Sequence, residues 1–307
     1  MYQPQRTGRS EFVPIRHHRY HVRCWGEPSP GATPLVLLHG WMDVGASWQF
    51  VVDALAEQHF IIAPDWRGFG LTEGPAADNY WFPDYLADLD GLLDHYAGDT
   101  PVHLVSHSMG GNVAMLYSGA RPQRIRRLVN LEGFGLPATV PAQAPGHYAQ
   151  WMDDIKALHR GDKAMQSYES IEGVAQRLMK TNRRLPRAKA MWLAQHWSRR
   201  EADGRWHVLG AAAHKVIGAM LYRVDEWMAC AARISAPTLW VEAGDDSLAH
   251  WWNGQLSMAE FHQRLKAVPQ LQMARIEDAG HMLHHDQPQQ VAQLIETFFG
   301  EIPLNLR

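Results

Sequence analysis

Val105-Ser106-His107-Ser108-Met109-Gly110-Gly111 decides how the chain is read. The apolar run from Val102 to Val105 leads into it, and Ala114, Met115, Leu116 and Tyr117 follow in a helix-like run. Strand, sharp turn and helix make the setting in which a serine stands exposed as a nucleophile. Such a turn strains the serine backbone and needs small neighbours so that the flanking chains do not collide. Gly110 is one of them. Two residues before Ser108, where the usual pattern has glycine, stands Ser106, which is also small. Helix amides beginning near Met109 would point at the Ser108 oxygen and stabilise negative charge there. An ordinary βα turn can also carry a serine, so the rest of the chain decides.

Outward from this stretch, strands alternate with helices. Residues 11–25 predict a β-hairpin, with Phe12, Val13 and Ile15 on one run and Tyr20, Val22 and Cys24 alternating on the next. Pro34-Leu35-Val36-Leu37-Leu38 and Phe60-Ile61-Ile62-Ala63 are continuous apolar runs, the mark of strands buried on both faces. Further strands are predicted at 125–131, 237–241 and 271–276, and helices at 47–58, 82–96 and 288–299. This alternation predicts a parallel sheet with crossover helices. From about 136 to 232 it stops. Pro137, Pro141 and Pro145 mark a loop, and helices are predicted over 147–160, 167–182, 186–199 and 213–232 with no strands between them.

Composition bounds the function. The 307 residues, 46% of them hydrophobic, can bury a large core. A formal net charge of -3 with no basic stripe excludes a nucleic-acid footprint. Two cysteines, Cys24 and Cys230, build no disulfide framework and point to a reducing compartment. The first residues lack the apolar core of a signal peptide, and no run reaches the length of a membrane span. The expectation is a soluble cytoplasmic protein without a membrane partner.

Five motifs in chain order carry a family likeness: His39-Gly40-Trp41, Asp65-Trp66-Arg67-Gly68-Phe69-Gly70, the serine turn, Gly244-Asp245-Asp246, and Gly280-His281 with Asp286 and Pro288 after it. Together they resemble the α/β-hydrolase fold, in its capped serine-hydrolase branch of esterases and carbon–carbon-bond hydrolases. The resemblance covers nearly all of residues 11–300. It implies a mostly parallel eight-stranded sheet with helices on both faces, formed by residues 1–135 and 233–307. Residues 136–232 would form a helical cap over the C-terminal edge of the strands, where ligands bind in open α/β sheets.

The same resemblance implies roles. Ser108 is the nucleophile and His281 the base that takes its proton. Asp246 is the carboxylate that holds the histidine tautomer, with Glu132 as the alternative acid and Asp245 after it. The backbone amides of Trp41 and Met109 form the oxyanion hole. The 65–70 loop is structural, with Arg67 tying loops together. His39, His107, His284 and His285 stand outside the triad, His284 and His285 at surface or packing positions. A serine at the elbow, where dehalogenases and epoxide hydrolases of this fold use Asp, argues against both. The expected activity is carboxylesterase-type hydrolysis of a small-molecule acyl substrate, apolar or aromatic, through an acyl-enzyme. Carbon–carbon bond or lactone hydrolysis on the same triad is the alternative, and ligand binding without turnover a third reading. No cofactor or metal is expected, since the pairs His17-His18 and His284-His285 come without a matched ligand set. Trp151, Met152, Met191, Trp192, Trp197, Trp206, Trp227 and Met228 make the cap rich in large apolar side chains. Most are expected to pack its helices together and a few to face the pocket.

Overall fold

The computed structural model describes residues 1–300, with the backbone alone at 249–250. The strands are β1 (Arg9–Ile15), β2 (His18–Trp25), β3 (Leu35–Leu38), β4 (Ile61–Pro64), β5 (Val102–His107), β6 (Ile125–Leu131), β7 (Ser167–Tyr168), β8 (Ser198–Arg200), β9 (Trp206–Val208), β10 (Thr238–Ala243) and β11 (Leu271–Ile276). Eight of them form one sheet in the order β1-β2-β4-β3-β5-β6-β10-β11. The pairs β1–β2 and β2–β4 are antiparallel and the others parallel.

The apolar runs are continuous because both faces of the sheet are covered. Val36, Leu38, Ile62, Leu104, Leu128 and Trp240 enter one core cluster. Their chain neighbours Leu35, Leu37, Ile61, Val105, Val129 and Val241 enter another. This is the period-two alternation of a strand with a core on each side. The first cluster is closed by α2 (Pro83–Ala97), α3 (Met109–Ala120), α7 (Val224–Ala231) and α9 (Met258–Leu265). The second is closed by α1 (Gln49–Ala54) and α11 (Pro288–Gly300). Each large side chain so buried contributes about 1.5–3 kcal/mol.

Residues 136–232 contribute no strand to the large sheet. They supply α4 (Ala144–His159), α5 (Ile171–Thr181), α6 (Arg187–Trp197) and α7. The expectation that no strands lie among these helices is corrected, because β7, β9 and β8 pair antiparallel as a small separate sheet. Strands of two or three residues are too short to show a period in the sequence. The helix expected over 213–232 is also interrupted, with a 3₁₀ turn at Ala212–Lys215 and α7 only from Val224. Val174 and Leu178 of α5, Leu185 of the turn after it, and Trp192 and Leu193 of α6 pack on Val44, Ala46 and Phe50, just beyond β3. Among the described residues no helix is long and apolar enough to cross a membrane.

The loop after β4 is held by two charged side chains. Asp65 accepts hydrogen bonds from the Gly45 and Leu71 amides at 2.7 and 2.8 Å and from His21 Nδ1 at 2.7 Å. Burial opposes its charge, but these donors, His21 foremost, hold its carboxyl below the usual range. Arg67 grips Asp88 of α2 with two bonds, Nε to Oδ2 at 2.5 Å and Nη2 to Oδ1 at 2.6 Å. Gly70, at φ 57°, has no space for a Cβ, which would lie 2.0 Å from Asp65 Oδ2. Backbone bonds from Gly70 to Leu209 and from Ala211 to Gly68 join this loop to the inserted segment.

Two stability outcomes follow from these contacts. A Cβ at Gly119 of α3 would lie 2.1 Å from the Cys230 carbonyl of α7. Gly119→Ala is therefore expected to cost about 1–3 kcal/mol, read as a lowered urea midpoint. Asp65 is ionised at a lower pH in the folded chain than in the unfolded one. Its stabilisation is complete above the unfolded pKa of about 4 and is lost as pH falls through the lower folded value. Asp65→Asn should lower stability at neutral pH and flatten the acid limb of a stability-against-pH curve. An unchanged acid limb would show that the Asp65 charge contributes nothing.

Candidate active site

β5 ends at His107, and α3 starts at Met109, leaving Ser108 alone to make the turn. It does so at φ 51° and ψ −117°, a conformation that L-residues avoid. Three close approaches surround it. A Cβ at Gly110 would lie 2.6 and 2.7 Å from the carbonyls of His39 and Leu38. A Cβ at Gly40 would lie 3.0 Å from Ser108 Cβ, so the His39-Gly40-Trp41 loop rests directly against the serine. A Cβ at Gly111 would lie 2.2 Å from Asn130 Oδ1, at the end of β6. Ser106 fits without being glycine because its hydroxyl turns inward and donates to the Val129 carbonyl at 3.0 Å.

His281 Nε2 lies 2.9 Å from Ser108 Oγ. On its other side, His281 Nδ1 lies 3.2 Å from Glu132 Oε2. In the tautomer that satisfies both contacts, the serine hydroxyl donates to Nε2 and Nδ1–H donates to the carboxylate. Glu132 is buried and follows β6 at φ 58°. Its Oε1 accepts from the Ala243 amide at 2.7 Å, and Asn130 Oδ1 braces the turn by accepting from the Gly133 amide at 2.9 Å.

The expectation that Asp246 meets His281 is therefore corrected, because the ring faces the alternative acid, Glu132. Strands β6 and β10 are parallel neighbours, so carboxylates at either strand end can reach the same edge. The left-handed turn at Glu132 aims its side chain inward, whereas Asp246 is exposed at the start of α8 (Ser247–Trp252). Asp245 is also exposed and pairs with Arg184 of the inserted segment at 2.6 Å.

The two backbone donors expected at the serine are suitably placed in the chain. Met109 is the first residue of α3, where an amide has no acceptor within the helix. Trp41 directly follows the glycine that touches Ser108. The other histidines are structural. His39 Nδ1 donates to the Gly40 carbonyl at 2.7 Å and its Nε2 accepts from the Trp66 amide at 2.9 Å. His107 Nε2 donates to the His281 carbonyl at 2.7 Å. His284 and His285 are packed in the interior (0% and 2% exposed), His285 against Ser47, rather than at the surface.

Two large aromatic rings beside His281 come from outside residues 136–232. Phe134 stacks on it at 6.1 Å between centroids and Trp251 meets it edge-on at 5.5 Å. Neither stands out in the sequence as a site residue; their only signal is their place, Phe134 in the loop after β6 and Trp251 in α8 after β10. The inserted Trp192 packs on Phe50 and Tyr2, and Trp227 on Phe261, as helix-packing residues. A groove of about 810 Å³ lies between the 68–80 loop and the inserted strands, but Ser108, Glu132 and His281 do not line it.

Comparison with known proteins agrees with this architecture. A "Serine hydrolase-like protein" of Danio rerio is 29% identical over 202 residues, 65% of this chain and 61% of that protein. The "2-hydroxy-6-oxo-2,4-heptadienoate hydrolase" of Pseudomonas putida is 36% identical over 106 residues, 34% of this chain and 38% of that one. The aligned stretches thus span less than two thirds of either relative's length. Among solved structures, a thioesterase domain from the curacin biosynthetic pathway superposes with a TM-score of 0.79 at 22% identity, covering 94% of this chain and 99% of its own. The model of the α/β-hydrolase fold family matches residues 33–288, and the chain belongs to that family.

Proposed function

We propose that the protein hydrolyses a carboxylic ester of a small acyl compound through an acyl-enzyme on Ser108, His281 and Glu132. The observation that carries this reading is the unbroken line from Ser108 Oγ through both ring nitrogens of His281 to Glu132, at 2.9 and 3.2 Å. A serine hydroxyl is a weak nucleophile until a base accepts its proton. His281 Nε2 is that base in this proposal, and Glu132 keeps Nδ1 protonated and stabilises the imidazolium. Ser108 Oγ bonds to the carbonyl carbon as its proton passes to Nε2. The carbonyl oxygen becomes an oxyanion facing the Met109 and Trp41 amides, worth about 3–4 kcal/mol for each donor. Collapse breaks the ester C–O bond, and the leaving alcohol takes the proton from Nε2. Water then attacks the acyl-enzyme, gives its proton to Nε2 and releases the acid, and the proton returns to Ser108. No cofactor takes part.

Trp41 and Trp251, 46% and 48% exposed, and the buried Phe134 favour an apolar or aromatic acyl group beside His281. The inserted helices anchored on Val44, Ala46 and Phe50 support a cap near the same edge. The unpaired cysteines Cys24 and Cys230 favour a reducing compartment such as the cytoplasm. The second reading, carbon–carbon bond hydrolysis on the same triad, is favoured by the relative named a heptadienoate hydrolase.

A panel of chromogenic esters beside lactones and vinylogous diketones tests the class of reaction. Turnover of esters alone supports the first reading, and preference for the diketones the second. Ser108→Ala should abolish turnover and phosphonate labelling, and labelling that persists there would exclude Ser108. Glu132→Gln keeps an Oε1 acceptor for the Ala243 amide but presents the wrong partner to Nδ1. It should lower kcat by about 10⁴-fold with the fold intact, and Asp246→Asn should cost far less. The reverse ranking would return the acid to Asp246. Trp251→Ala should change the ratio of aromatic to acetate ester turnover more than the acetate rate itself. Activity rising sharply on emulsified long-chain triglyceride would contradict a capped site for soluble esters.

A further inference from the structure

Beneath the catalytic line lies a polar cluster that the proposed reaction does not use. Asp43, His107 and His284 are each at most 2% exposed, and one ligand-type atom from each lies within 4.8 Å of the others. Asp43 Oδ1 is occupied, accepting from the Val44 amide at 2.8 Å, while Oδ2 has no hydrogen-bond partner. His107 Nε2 is committed to the His281 carbonyl, while Nδ1 has no partner. His284 has a partner at neither nitrogen, and its Nε2 stands 3.6 Å from Asp43 Oδ2, beyond hydrogen-bond range. Leaving so many buried polar atoms unmatched is costly, and native interiors rarely do so.

We propose that Asp43, His107 and His284 form a buried binding site for a divalent transition metal, with Zn²⁺ as the best match. Two imidazoles and one carboxylate are ligands that Zn²⁺ accepts, with water as a fourth. The 3.6 Å between Asp43 and His284 is close to the ligand spacing around an ion bonded at about 2.0–2.1 Å. His107 carries the accompanying feature of a metal ligand, because its other nitrogen donates to a backbone carbonyl, which fixes the tautomer and leaves a lone pair on Nδ1.

The position gives the site a consequence. Asp43 lies on the loop that bears Trp41, His107 precedes Ser108, and His284 lies in α10 (Leu283–Asp286), which begins just after His281. One ion would tie together the three segments that carry the oxyanion loop, the serine and the histidine. It binds only the folded chain, so it raises stability by mass action.

The test uses the intact chain, stripped with a chelator and incubated at length with Zn²⁺ or Co²⁺, since the site has no open path. Elemental analysis after gel filtration should find one ion per chain, Tm should rise by several degrees, and Co²⁺ should give a d–d absorption band. Asp43→Asn and His284→Gln should each weaken binding beyond the about 100-fold that loss of an outer partner costs, while His17→Ala keeps it. X-ray absorption of the wild-type zinc complex should show two imidazoles, a readout that survives if either variant fails to fold. No retained ion would overturn the site and leave a buried water as the shared partner of the three groups. Full binding by folded Asp43→Asn, or a zinc shell without imidazole, would overturn it equally.

Discussion

The site depends on how closely backbones can approach one strained residue. Ser108 is held at φ 51°, at a cost of about 1–3 kcal/mol, and the surrounding fold must offset it. The offset comes from bonds at the turn itself, Ser108 N–H to the Leu131 carbonyl at 2.9 Å and Asn112 N–H to the Ser108 carbonyl at 3.1 Å. It comes also from three glycines without which the neighbours could not close in. Gly110 lets α3 start against the end of β3, Gly40 lets the His39-Gly40-Trp41 loop touch Ser108, and Gly111 brings the end of β6 alongside. The last contact sets Glu132 at the right distance, since Asn130 and Gly133 flank it.

Charge in this region is arranged in layers. The buried carboxylate of Glu132 has one oxygen for the Ala243 amide and one for His281. Beside it, the rings of His107, His284 and His285 lie 4.2–4.3 Å apart between centroids, tilted by 47° and 50°. Burial, with the neighbouring His284 ring, pushes His107 and His285 well below their ordinary pKa.

The inserted segment is fastened at the same edge by polar clasps. Arg184 reaches Asp245 and Asp278 at 2.6 and 3.2 Å, and Asn182 donates to Asp286 at 2.7 Å. Asp286 in turn accepts from the Gly280 amide at 3.0 Å, one residue before His281. Asp245 and Asp286, both within motifs of the family likeness, thus hold the insertion to the histidine loop. The exposed pairs among these contribute little stability singly and serve to fix position.

The sequence by itself determined what depends on neighbours along the chain. The continuous apolar run from Leu35 to Leu38 marked a strand covered on both faces, the strand-to-helix switch around Ser108 marked the turn, and Gly280-His281 marked the end of the last strand. Each is a local pattern imposed by backbone geometry. Tertiary structure alone decided which carboxylate faces His281 and that His284 is interior. Glu132 and His281 are 149 residues apart, and the three candidate carboxylates follow two neighbouring strands, β6 and β10, of one sheet. Chain order cannot rank them. The choice rests on a left-handed turn after β6 and on Asn130 packed against Gly111, a contact between segments that only the folded sheet brings together.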